Sequence, residues 1–227
     1  MKNSKLTILT AAAGALGTLA MSASAHVPFL EETDYTPEKP YIVHDAENSK
    51  SLSARIGKPG DVDVYRIDLE KPARIYTATN IPWCPQYETF GVTYALAGPG
   101  LPAPAIPLPV TLPEGYGAVV VRDTSEQTRE SWVEPFSGRK MWLGEEYALD
   151  AAPAGTYTMI IWNERGQTGD YIAVIGEGEV FNAPEIRQTV ATSPKLRDGA
   201  NLMVKCNPTV AAPQRPNFAK PGSVTSN

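Results

Sequence analysis

The chain has 227 residues, a formal net charge of −5 and 42 % apolar residues. That length accommodates one large all-β domain, or one medium domain plus a tail, and the acidic balance makes the chain a poor candidate for nucleic acid or anionic lipid, which attract basic patches. Past the first residues no apolar run approaches the roughly 18 residues of a membrane span.

Residues 1–25 have the layout of an export signal. Lys2 and Lys5 supply a basic start, residues 6–21 are apolar and uncharged, and Ala23-Ser24-Ala25 fits the small-x-small cleavage rule. Cleavage there makes His26 the first residue of the mature chain and places the protein in the periplasm or outside the cell. Loss of the two lysines takes the charge from −5 to −7. Residues 26–50 read as an irregular N-terminal arm, because Pro28, Pro37 and Pro40 interrupt any long element. Residues 41–44 fit a short strand within it.

Residues 51–180 carry the texture of a β-sandwich. In 61–69 (DVDVYRIDL) Tyr65, Ile67 and Leu69 share one face, and Asp63, Arg66 and Asp68 supply polar positions. Further strands are expected at 72–80, 90–97, 117–121, 129–135, 140–147, 155–163 and 169–178. The loop 164–169 reads as a hairpin connection. Between 98 and 115 stand Pro99, Pro102, Pro104, Pro107, Pro109 and Pro113, a stiff extended connector on the surface. The fold class expected is all-β: an antiparallel, jelly-roll-like sandwich with an irregular arm, one short helix and a disordered tail.

Residues 181–206 are a short helix and connector. Asn182, Pro184 and Glu185 form a helix-start signature, and the helix should end before Pro194. Residues 207–227 hold few large apolar groups and cannot bury enough surface to order themselves. Cys84 and Cys206 are the only cysteines. In an oxidising compartment they are expected to form one disulfide, closing a loop of about 120 residues and stabilising by several kcal/mol in the chain-entropy model.

No nucleophile–base set is recognisable. No Ser sits in G-x-S-x-G, the cysteines are not in C-x-x-C, and no phosphate-binding glycine loop is present. The chain is therefore expected not to be an enzyme. A mature N-terminal His26 can chelate copper through its amine and ring, with His44 as a second imidazole and Asp45 as an oxygen ligand. This resembles the histidine-brace copper proteins, at these positions alone. Asp61, Asp63 and Asp170, in glycine-bearing turns, offer hard oxygen ligands of the kind calcium takes. Trp83, Trp132, Trp142 and Trp162 are expected in the core unless exposed for sugar stacking.

GKPGDVDVYRIDL (57–69), ALAGPG (95–100), PAGTYTMIIWN (153–163) and GDYIAVIG (169–176) together are similar to the bacterial pre-peptidase C-terminal domain. The similarity covers about residues 51–178, with a long insertion at 98–150. The resemblance implies a jelly-roll-like sandwich of the kind used as a secreted accessory module, some members of which bind calcium or polysaccharide. The expected function is a non-catalytic module binding an extracytoplasmic protein, polysaccharide or other ligand. The alternative is a periplasmic copper-binding protein using His26 and His44.

Overall fold

The structure, a computed structural model, describes residues 26–134 and 138–206. The expected leader (1–25) and tail (207–227) lie outside the described residues. In chain order the elements are β1 (Val27–Leu30), β2 (Tyr41–Val43), β3 (Lys50–Ile56), β4 (Val62–Leu69), β5 (Ala73–Pro82), β6 (Thr93–Pro99), β7 (Tyr116–Val121), β8 (Ser131–Val133), β9 (Lys140–Ala152), β10 (Gly155–Trp162) and β11 (Gly169–Ile175). A helix, α1 (Ala183–Arg197), follows. One sheet runs β1-β3-β11-β5-β9-β8 and the other β2-β4-β10-β6-β7. They stack as a sandwich with a single short helix, as expected.

The N-terminal arm is more regular than its prolines imply. β1 pairs parallel to β3 at the edge of the first sheet, and β2 pairs parallel to β4 at the edge of the second. The other strand pairings are antiparallel. Pro28 is tolerated because an edge strand needs donors on one side only. The N–H groups of Val27 and Glu31 make the bonds, to Ser49 O and Ser53 O at 2.9 Å each. Pro28 falls between them, where its missing N–H costs the ladder nothing.

The core between the sheets is rich in tyrosine. Tyr65, Tyr94, Tyr157 and Tyr171 are fully buried, and each hydroxyl has a partner. Tyr65 and Tyr171 bond each other across the sheets at 2.7 Å. Tyr94 donates to Thr77 O at 2.9 Å and Tyr157 to Pro153 O at 3.1 Å. An unpaired buried hydroxyl would cost about 1–3 kcal/mol, so these bonds make the aromatic core possible.

The proline-rich segment is more than a connector. Ile106, Leu108, Val110 and Leu112 pack on Ala95, Ala97, Ala118, Ile160 and Trp162 on the outer face of the second sheet. Trp162 is thus buried packing, and Trp142 is buried too. Helix α1 starts with the expected capping box of Asn182 and Glu185. It continues through Pro194 instead of stopping before it. Pro194 lies in the last turn, where few helical bonds remain to be lost.

Candidate functional site

The two ends of β1 carry the chemistry-bearing groups. At its C-terminal end Glu31 leaves the strand, and the chain turns through Asp34 to Tyr35. Tyr35 O accepts the N–H of Val64 at 2.6 Å, so the arm is stitched to the start of β4. This brings one carboxylate oxygen each of Glu31, Asp34 and Asp63 within 4.8 Å of one another. Glu31 Oε2 accepts the Arg55 N–H at 3.0 Å.

Asp63 is the unusual member. By strand parity it points inward with Tyr65 and Ile67, not outward with Arg66 and Asp68, and it is 0 % exposed. The expectation that set it in a turn is corrected, since it lies inside β4. Its Oδ2 accepts the Tyr171 hydroxyl at 2.6 Å, which completes a Tyr65–Tyr171–Asp63 chain. Its Oδ1 is buried with no hydrogen-bond partner, as is Glu31 Oε1. Burial pushes the Asp63 carboxyl up to about 8 and the Glu31 carboxyl up to about 7, because the charged form is desolvated and neighbouring carboxylates repel it. Beside them lies a cleft of about 350 Å³ lined by Glu31, Glu32, Asp34, Arg55 and Asp61. Asp61 itself accepts the Gly57 N–H at 2.6 Å.

At the other end of β1, His26 Nδ1 contacts Ser49 Oγ, which donates to Gly176 O at 2.9 Å. The Trp132 ring stands edge-on, 6.4 Å away between centroids. Burial lowers the imidazole's proton affinity, and Glu134 and Glu179 oppose that shift. His44 and Asp45 are exposed, just beyond the end of β2 in the opposite sheet. His26, His44 and Asp45 do not form a group of three close ligand atoms among the described residues. The one such group among them is Glu31, Asp34 and Asp63.

Asp170, the other acidic-turn candidate, ties the C-terminal segment to the sheet. Its Oδ2 accepts the Met203 N–H at 2.6 Å and the Tyr87 hydroxyl at 3.1 Å. Cys84 and Cys206 are free thiols in the structure, where a bridge is expected from the sequence. They are nonetheless neighbours. Burial and a hydrogen bond to Cys84 push the Cys206 thiol up to about 12, and Cys84 Sγ donates to Gln86 Oε1 at 2.8 Å. Trp83, the most exposed tryptophan, has the Lys140 ammonium 4.7 Å from its ring centroid.

Glu31 and Asp34 carry no local motif. The available signal was the parity of Asp63, an acid on the apolar face of an alternating strand. No helix among the described residues is long and apolar enough to cross a membrane. No family model matches the chain, and no curated protein matches it.

Proposed function

We propose that this chain is an exported, non-catalytic β-sandwich binding module that holds a hard divalent cation, of the calcium class, between its N-terminal arm and β4. One observation carries the reading. Asp63 is fully buried, keeps one carboxylate oxygen without a partner, and sits within ligand distance of Glu31 and Asp34. Calcium–oxygen bonds are about 2.3–2.6 Å, so oxygens of one ion lie at most about 5 Å apart, and the spacing here meets that limit. A carboxylate buried without a counter-ion is costly. A cation supplies the missing partner, and the open cleft admits the waters that complete a coordination shell of six to eight.

The export signal in residues 1–25 and the resemblance of residues 51–178 to secreted accessory domains favour an extracytoplasmic module, where calcium is abundant enough for a modest site. Holding the arm against the sandwich edge would fix the surface offered to a protein or polysaccharide partner.

The test is calorimetric titration of calcium into chelator-treated protein recovered from the exported fraction. A single saturable site is expected, lost in Asp63→Asn and weakened in Asp34→Asn. No saturable heat at millimolar calcium, or an Asp63→Asn protein that binds as well as wild type, would refute it.

A further inference from the structure

Helix α1 is mounted the wrong way round for an ordinary surface helix. A surface helix normally turns its apolar stripe to the core. Here the face against the sheet is mostly polar: Glu185, Thr192, Ser193 and Leu196 are its buried residues. Gln188 Nε2 bonds Pro28 O of β1 at 3.2 Å, and Glu185 sits 3.7 Å from the buried Lys50 ammonium. The stripe at helical spacing, Ile186, Val190 and Pro194, faces away from the sheet, with Ile186 54 % and Val190 71 % exposed. It forms one wall of a groove of about 470 Å³, which Phe181 and His26 also line. That volume lies in the range of small-molecule sites, which are mainly apolar with a few placed polar groups.

Two polar groups in this groove point to the ligand's chemistry. Ser193 Oγ is buried without a hydrogen-bond partner and lines the groove. Arg197, one helical turn further on, lies at the same groove and has no ion pair among the described residues. An apolar wall ending in an unsatisfied hydroxyl and an unpaired guanidinium complements an apolar body with one anionic head. The guanidinium fork matches a planar carboxylate with two parallel N–H···O bonds.

We propose that the groove between α1 and His26 binds a free long-chain monocarboxylate of the fatty-acid type, with its chain along Phe181, Ile186 and Val190 and its carboxylate on Arg197 and Ser193. This site is separate from the acidic cluster, and failure of calcium binding would leave it standing.

The test titrates sodium dodecanoate, below its micellar concentration, into the exported protein. Dodecanol and dodecyltrimethylammonium serve as head-group controls, and circular dichroism checks the fold. Val190 and Arg197 are exposed, so substitutions there spare the core. Expected are one saturable site for dodecanoate, loss of binding in Val190→Asp, and weakening by about tenfold or more in Arg197→Gln, the loss anticipated for a charge-assisted bond. The controls should bind at least about tenfold more weakly than dodecanoate.

Four results would overturn the proposal. They are the absence of saturable dodecanoate binding, equal affinity for all three head groups, a Val190→Asp protein that binds like wild type, and dodecanoate binding that appears only after deletion of 207–227. The last result would make the chain's own tail the occupant. Sedimentation supplies a further outcome: a wild-type dimer that Val190→Asp converts to monomer would assign the groove to a second copy and equally overturn the proposal.

Discussion

Replacing Asp63 with asparagine should make the cation-free protein more stable at alkaline pH while abolishing its response to calcium. Burial raises the folded-state carboxyl from 3.8 to about 8. Each pKa unit between folded and unfolded values corresponds to about 1.4 kcal/mol, so ionising Asp63 inside the cation-free fold costs on the order of 6 kcal/mol. That is a large fraction of the roughly 5–15 kcal/mol that holds a domain folded. The sign follows from proton counting. Between pH 4 and 8 the native state retains a proton that the unfolded state has released, so stability is full below about pH 4 and falls as pH rises. Glu31, raised to about 7, adds to the fall in the same direction. On the proposed function, bound calcium would offset that cost by taking the proton's place. The asparagine side chain in Asp63→Asn is neutral throughout. It can still accept the Tyr171 hydroxyl through its carbonyl oxygen, and its amide can donate toward Glu31. Urea unfolding at about pH 5, 7 and 9, in chelator and then in calcium, reads all of this. Wild type should lose stability with rising pH in chelator and regain it in calcium, most strongly at about pH 9. Asp63→Asn should show a flatter profile and no calcium response. Equal stability of cation-free wild type at pH 5 and 9, or the same slope in both proteins, would refute the argument.

Oxidised protein from the exported fraction should be two hydrogens lighter than its reduced form, with Cys84 and Cys206 in one peptide pair. Reduction should then lower the unfolding free energy of wild type, but not of Cys84→Ser, by the several kcal/mol that closing a loop of about 120 residues implies. Gly98→Ala should be severely destabilising, by about 3 kcal/mol, because its new methyl would stand 2.2 Å from the ring of Tyr157, inside the core between the sheets. Chemical denaturation reads that loss, and a change under about 1 kcal/mol would mean that Tyr157 can step aside.

The layers were legible because their cause is local. VDVYRIDL in β4 and GTYTMIIW in β10 alternate, and these two strands pair along their whole length, Gly155 against Leu69 and Trp162 against Val62. The helix start was legible in the same way, since Asn182 and Glu185 satisfy each other's backbone within one turn. β1 was hidden behind Pro28, because the sequence does not say which side of a strand its ladder will use. The cover over the second sheet was hidden too. Prolines mark 98–115 as extended, but only the small Ala95, Ala97 and Ala118 beneath reveal room for Ile106 and Leu108. The acidic cluster depends on two long-range events, the parallel pairing of β1 with β3 and the Tyr35–Val64 bond. Asp63 was expected in an acidic turn, whereas it lies inside β4 facing the core, on the parity that Tyr65 and Ile67 share. Its partners Glu31 and Asp34, some thirty positions earlier, had no local signature.

β1 lies between the two candidate sites and should couple them. His26, at the groove, and Glu31, in the acidic cluster, are five residues apart along an extended chain, roughly 16 Å at the usual strand rise. α1 packs on β1, and Gln188 is bonded to Pro28 in the middle of that strand. A cation that fixes Glu31 would suppress fraying of this edge strand and so steady His26, the residue just before β1, which lines the groove. By thermodynamic reciprocity, calcium must then raise dodecanoate affinity by the same factor as dodecanoate raises calcium affinity. A factor of about 5 is expected, at the low end for allosteric coupling, because β1 is also held by its own ladder to β3. Gln188→Ala removes the strap between helix and strand without touching either site. It should leave both ligands bound and bring the factor toward one. Dodecanoate affinity that is identical with and without calcium, or a coupling factor unchanged in Gln188→Ala, would show that β1 transmits nothing between its ends.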